Sequence, residues 1–287
     1  MYEEELFKAV KNNDIEKVKK LVEYGTDIND KNYKDETALF IALEKGYLEI
    51  VKHLVEHGAD VNAECYDETA LMIASEKGYL EIVKYLVEEK GMDINHADDK
   101  GWTALTCSIT GKSFGIFKYL VEHGANINVK DKYGKTVLDL AFSLEVHTYR
   151  QLKEYLEIVK YLLDKDVDIN VENEFRLNDL IVKASGWGDL ELVKCLLDKG
   201  VDINSKDSGS DTALMRACYY GKLEVVKYLI KNGADVNIKN DNGKTALNRV
   251  EPYIGSSICI IGFGEEIHIS RETIDEIVKI LIEAGAK

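Results

Sequence analysis

What this chain lacks narrows the field before any motif is read. Basic residues are in short supply: 37 Lys and Arg stand against 52 Asp and Glu, a formal net charge of −15 over 287 residues. A field of that sign repels phosphate backbones, so no nucleic-acid partner is expected, while solubility and a basic partner suit it. No stretch approaches eighteen uncharged apolar residues, so no membrane span is expected. The opening MYEEELFKAV has neither the basic start nor the apolar middle of a signal peptide, and a cytoplasmic protein is the expectation. Cysteines are few and scattered: Cys65, Cys107, Cys195, Cys218 and Cys259 are odd in number and lack CxxC spacing, which argues for reduced thiols over a disulfide frame. Proline is nearly absent, Pro252 being the one in the chain.

What is present is repetition. A sub-motif G-[AMTV]-[DN]-[IV]-N begins at Gly25, Gly58, Gly91 and Gly124, each 33 residues after the last, and returns 33 apart at Gly200 and Gly233. A second element, T-[AV]-L, begins at Thr37, Thr69, Thr103, Thr136, Thr212 and Thr245. A fixed period of this length means stacked supersecondary units, each burying its apolar face on its neighbours.

One copy, Thr212 to Ile238, shows the physics. The Thr212 hydroxyl is placed to cap a first helix over 213–220, and Gly221 ends it where positive φ is cheap. Leu223, Val225, Val226, Leu229 and Ile230 then recur at helical spacing, with Glu224, Lys227 and Lys231 on the opposite face. Gly233 stops this second helix, and 234–241 turns towards the next Thr.

TALFIALEKGYLEIVKHLVEHGADVNA and its siblings resemble the ankyrin repeat, with its T-P-L-H-x-A opening and G-A-D-V-N close, in phase over roughly the whole chain. The resemblance implies an all-α solenoid of about eight helix-turn-helix units forming a single domain over 1–287. The units fall at about 3–31, 32–63, 64–97, 98–130, 131–172, 173–206, 207–239 and 240–287. It also implies hairpin-like turns, and a concave groove, lined by first helices and turn tips, that binds protein. Two departures stand out. The motif proline is Ala or Val in every intact copy, which loosens each helix start. The motif histidine is replaced by Phe40, Met72, Thr106, Asp139, Met215 and Asn248, so the Thr–His hydrogen bond of the family is lost and the Thr cap alone is expected to remain.

Two insertions interrupt the period. Gly124 to Asp166, which replaces the closing Gly, is 42 residues, nine more than one period, and points to an early start of a second helix with a turn near 147–149. Gly233 to Gly285 is 52 residues, and Ile258–Ile261 and Ile267–Ile269 flank Gly262-Phe263-Gly264 as a β-hairpin would. That hairpin reads either as a lid over the last repeat or as a docking edge. The start of the sixth unit has decayed, with Asp179 standing in as the expected cap. In the last helix, either Ser270 or a Thr273–Glu276 capping box could serve.

No catalytic constellation emerges. His57 and His123 recur because the repeat recurs, Cys65 and His96 lack further ligands at zinc spacing, and GFGEE has no following Lys, so neither a metal nor a cofactor is expected. The aromatics carry more. Phasing puts Tyr33, Tyr66, Trp102, Tyr133 and Phe175 at or near successive turn tips, and Trp187, Tyr219 and Tyr220 at the ends of first helices, where a groove is lined. Tyr85, Tyr119, Tyr161 and Tyr228 fall on second helices and read as scaffold. The expected function is therefore non-enzymatic binding of a protein partner, unidentified from sequence, by a monomer. A secreted, host-directed effector, and a small-ligand or catalytic site on the 251–270 insertion, are the alternatives.

Overall fold

A computed structural model describes residues 2–143, 149–165, 167–169, 171–262 and 265–287. These divide into two compact bodies, Met1–Ile158 and Val159–Lys287. The first holds α1 (Tyr2–Lys11), α2 (Ile15–Glu23), α3 (Ala38–Lys45), α4 (Leu48–Glu56), α5 (Ala70–Lys77), α6 (Leu80–Lys84), α7 (Ala104–Thr110), α8 (Phe114–Glu122) and α9 (Val137–Ser143). The boundary falls inside α10 (Tyr149–Asp164). The second holds α11 (Val171–Trp187), α12 (Leu190–Asp198), α13 (Ala213–Tyr219), α14 (Leu223–Lys231), α15 (Ala246–Val250), a hairpin of β1 (Ile258–Gly262) and β2 (Glu265–Ile269), and α16 (Arg271–Glu283).

Each body is built in two layers. In the first, α1, α3, α5, α7 and α9 pack in succession, and α2, α4, α6 and α8 form the second row. In the second, α11, α13 and α15 face a row of α12, α14 and α16. First helices are covered on nearly all sides: α3 buries Ala38 to Leu43 without a break. Second helices are amphipathic, with α4 burying Ile50, Val51 and Leu54 and exposing Glu49 and Glu56.

The threonine caps hold as read. The hydroxyls of Thr37, Thr69, Thr103, Thr212 and Thr245 accept from the amide three residues on, and Thr136 accepts from Asp139 N at 3.2 Å. The expectation that Thr alone remains is corrected. Asp139 Oδ2 accepts from both Thr136 N (2.9 Å) and Thr136 Oγ1 (2.8 Å), Asn248 Oδ1 accepts from Thr245 N (3.1 Å), and Thr106 Oγ1 accepts from Thr103 N (2.8 Å). A polar residue in the histidine's slot closes the capping box with different chemistry. Ser270 caps α16, accepting from Thr273 N at 3.2 Å, which decides between the two caps read there.

Repeat-to-repeat register is held by asparagines that end G-A-D-V-N motifs. Asn95 Nδ2 donates to Gly124 O (3.1 Å) while its Oδ1 accepts from Asn126 N (2.8 Å). Asn29 does the same to Gly58 and Asp60, and Asn237 to Gly285 and Lys287 across the last insertion. That insertion is a β-hairpin, as expected, with Ile258 opposite Ile269 and Gly262 opposite Glu265. Phe263 and Gly264 at its tip, the turn expected near 147–149 and the closing position Asp166 lie wholly or partly outside the described residues. The early start of the inserted second helix is seen in the 16 residues of α10.

The sixth repeat departs from its expectation. Asp179 caps nothing, because α11 starts at Val171 and runs straight through it for 17 residues. With no Thr and no turn glycine to interrupt the chain, the helical pattern simply propagates. Asp179 instead accepts from Ser208 N (3.0 Å) in the next turn and pairs with Lys183 (2.9 Å).

Two glycines show how tightly helices approach. Gly111 has an ordinary helical φ of −70°, yet a Cβ there would run into the main chain of Glu76 in α5. The adjacent Lys112, at φ 56°, takes over the left-handed position that Gly78 fills one repeat earlier. Gly115, in α8, has nothing within 4 Å of its Cβ position. The same substitution should therefore have opposite signs. Gly111→Ala is expected to destabilise by about 1–3 kcal/mol through overpacking, and Gly115→Ala to stabilise by roughly 0.5–1 kcal/mol through helix propensity. Urea unfolding midpoints of the two variants against the parent check this.

Candidate protein-binding surface

The turn aromatics occupy different environments. Tyr33 and Tyr133 are 88% and 78% exposed, on Asx-type turns in which Asn32 and Asp131 accept from the amides that follow. A neighbouring lysine lies over each ring, Lys34 at 5.8 Å and Lys132 at 5.3 Å. Trp102 is half-buried beside the capping Thr103, its amide donating to Asp98 Oδ1 at 2.7 Å. Phe175 is not at a turn tip: it lies within α11, 63% exposed, because the turn expected there is helix.

Tyr66 is the exception among them, and its backbone explains why. The third repeat has one residue fewer between its Asn and its Thr (62 to 69) than the second (29 to 37). Cys65 and Glu68 close a two-residue turn with reciprocal 3.1 Å bonds, forcing Tyr66 and Asp67 to φ 56° and 68°. Left-handed backbone at a bulky residue is strained and persists only when its surroundings hold it. Here the Tyr66 hydroxyl donates to Lys34 O (2.9 Å) and its ring meets Phe40 edge-on at 5.7 Å, while the residue stays 61% exposed.

Tyr66 and Phe40 wall a cavity of about 630 Å³ completed by Lys34, Glu36, Glu44 and Glu68 along with Lys11, Ile41 and Lys45. Phe40 entered the sequence reading only as a lost histidine. The signal that would have found it is its place one turn into a first helix, directly across from the next turn tip. Burial raises the Glu68 carboxyl, and the neighbouring Glu76 and Glu44 charges raise it further. Lys77 pairs with Glu44 at 3.2 Å. The site is thus an aromatic wall rimmed by carboxylates and lysines together.

In the second body, Tyr219 and Tyr220 meet edge-on at 5.0 Å. The Tyr220 ring lies 3.1 Å from where a Gly186 Cβ would stand, next to half-buried Trp187, and the Arg249 guanidinium sits 5.8 Å from the Tyr219 ring. The scaffold tyrosines Tyr85 and Tyr119 are buried, as expected for second helices, while Tyr161 and Tyr228 are only half covered.

Beneath this cluster is a polar network that sequence reasoning missed. Asp211, 3% exposed, takes a two-pronged contact from Arg249 Nη2, a 2.8 Å bond from Asn240 Nδ2, and a 3.5 Å contact from Arg216. Arg216 in turn pairs with Asp207 at 2.7 Å. In sequence Asp211 is only the residue before a cap; its partners lie up to 38 residues away. Burial pushes its carboxyl up, but the hydrogen bonds from Arg249 and Asn240 and the Arg249 and Arg216 charges outweigh that and hold it below its ordinary value.

A carboxyl depressed in the folded state stabilises above its unfolded value, near about 3.9, and that contribution is lost as pH falls through the lower folded value. Asp179 is depressed in the same direction: burial raises it, and Lys183 and the Ser208 amide bring it down further. Urea midpoints should accordingly hold on the neutral side and fall below about pH 4. Asp211→Asn should lower the midpoint at neutral pH and flatten its acid-side fall.

Among the described residues no helix is long and apolar enough to cross a membrane. A family model for ankyrin repeats in three copies matches residues 6–98, 93–173 and 180–250. The chain is also 30% identical over 105 residues to the putative ankyrin repeat protein L86 of Acanthamoeba polyphaga mimivirus. That match covers 33% of this chain and spans only 17% of the relative. With the family model covering most of its length, in phase with the stacked helix pairs, the chain is a member of the ankyrin-repeat family.

Proposed function

We propose that this chain is a non-enzymatic scaffold that binds a partner protein through first-helix and turn-tip side chains, with the Tyr66–Phe40 cavity as its anchoring point. The carrying observation is the backbone of Tyr66: an aromatic residue is held at a strained φ of 56° and kept 61% exposed beside Phe40. Exposed, preoriented aromatic surface beside a pocket is the usual composition of an interface hot spot. Glu36, Glu44 and Glu68 stand with Lys11, Lys34 and Lys45 around the cavity, which suits a partner segment whose apolar anchor is flanked by polar or charged groups of either sign. The Trp187, Tyr219 and Tyr220 group offers a second aromatic surface in the other body, with Arg249 of the Asp211 network against Tyr219.

The test is affinity capture from the source lysate with the full chain, followed by binding measurements on the recovered partner. Tyr66→Ala combined with Glu68→Gln should weaken that binding by about 10- to 100-fold, the range of a hot-spot loss. The triple variant Trp187→Ala, Tyr219→Ala, Tyr220→Ala should weaken it less. Unchanged binding by both variants would overturn the reading. A loss confined to the triple variant would move the anchor to the second body.

A further inference from the structure

The hairpin of the last repeat carries side chains for which the repeat fold has no use. Strand alternation puts one face of it to work as scaffold: Ile269 is 5% exposed and its nearest methyl lies 2.6 Å from the position of a Gly221 Cβ, and Ile258, Ile260 and Ile267 are half covered. The opposite face is exposed and chemically distinct. There the register sets Cys259 directly across from His268, and Glu266 lies two residues before His268 on the same side of β2.

Their ligand atoms converge. Cys259 Sγ stands 3.9 Å from His268 Nε2, and His268 Nε2 stands 3.9 Å from Glu266 Oε2. All three ligand atoms lie within 4.8 Å of one another. A tetrahedral zinc ion, with sulfur at about 2.3 Å and nitrogen or oxygen at about 2.0–2.1 Å, separates its ligand atoms by roughly 3.4–3.6 Å. Rotamer adjustments of a few tenths of an ångström close that gap for two of the three pairs. An exposed face leaves the side chains free to make them.

We propose that Cys259, Glu266 and His268 form a binding site for Zn²⁺ or a cation of similar softness, with the fourth coordination position open to water or to an incoming ligand. The donor set chooses the metal. A thiolate and an imidazole favour zinc-like ions over Mg²⁺ and Ca²⁺, which take oxygen ligands. The charge also balances, because thiolate and carboxylate together neutralise a dication, and the acidic chain draws cations towards it. Binding releases the thiol proton, so affinity falls as pH is lowered. The ion would cross-link β1 to β2 and staple a two-stranded hairpin that is only marginally stable by itself.

The experiment uses the reduced, chelator-stripped full chain titrated with Co²⁺ and then Zn²⁺. One equivalent of Co²⁺ should produce a thiolate-to-cobalt charge-transfer band that Zn²⁺ bleaches and excess Mg²⁺ does not. Cys259→Ser should abolish the band, and His268→Ala should weaken Co²⁺ binding by at least about 10- to 100-fold. Zn²⁺ should also protect Cys259 from alkylation, followed by peptide mapping, while leaving Cys195 unprotected. Unchanged helical circular dichroism in both variants shows that the fold is intact, as expected for exposed side chains. Absence of the band in the parent chain, its persistence in Cys259→Ser, or alkylation of Cys259 indifferent to Zn²⁺ would each overturn the proposal.

Discussion

Everything in this protein follows from the fact that a single helix pair cannot cover its own apolar surface. Six of the eight residues of α3 are buried, all consecutive, so the helix has no polar face to turn to water. It is stable only between α1 and α5, and the same holds for α5 between α3 and α7. Stacking is therefore compulsory, and the remaining question is register. Asn29, Asn95 and Asn237 answer it by bonding one closing loop to the next through one donor and one acceptor each. Each bond is modest at an exposed site, about 1 kcal/mol. Their value lies in geometry: an off-register neighbour would satisfy neither end.

Because register is fixed at the loops, length changes elsewhere are absorbed locally. The constant spacing from Gly58 to Gly91 conceals two changes that cancel. The turn before Thr69 is one residue short, and the second helix that follows is one residue long. The short turn becomes the strained Tyr66–Asp67 pair. The long helix becomes a π-helical stretch, Tyr85–Glu89, after which Met92 N reaches back six residues to Leu86 O where Ala59 N reaches five to Leu54 O. The larger insertion in the last repeat is handled the same way. Asn237 still finds Gly285, 48 residues on, and the surplus chain folds out as a hairpin.

Such irregularities are where side chains become available for something other than stacking. A repeat that matches its siblings spends its residues on caps, glycine turns and the apolar stripe. Tyr66 is presented because its turn lost a residue. The Cys259 face exists because an insertion has two sides and the scaffold needs one. The Asp211 network sits at the junction of two turns with α13 and α15, and it holds Arg249 against Tyr219.

The sequence by itself determined the repeat, its caps and stops, the two-row helical architecture and the hairpin, because each rests on local chemistry at fixed spacing: a hydroxyl three residues before an amide, a glycine at positive φ, an apolar stripe of helical period. It also nominated aromatic residues for binding and misplaced one of them along the chain. Phe175 was assigned to a turn that is helix, and Asp179 to a cap that α11 overruns, since a lost stop signal is an absence and the length of a helix is decided by what packs on it. Only the tertiary structure decided which slots touch: Phe40 against Tyr66, Gly111 against Glu76, Asp211 beneath Arg249, and Cys259 across from His268. The physical reason is that these pairs are separated by a repeat, a turn or a strand register, and nothing in the local chemistry of either partner specifies the other.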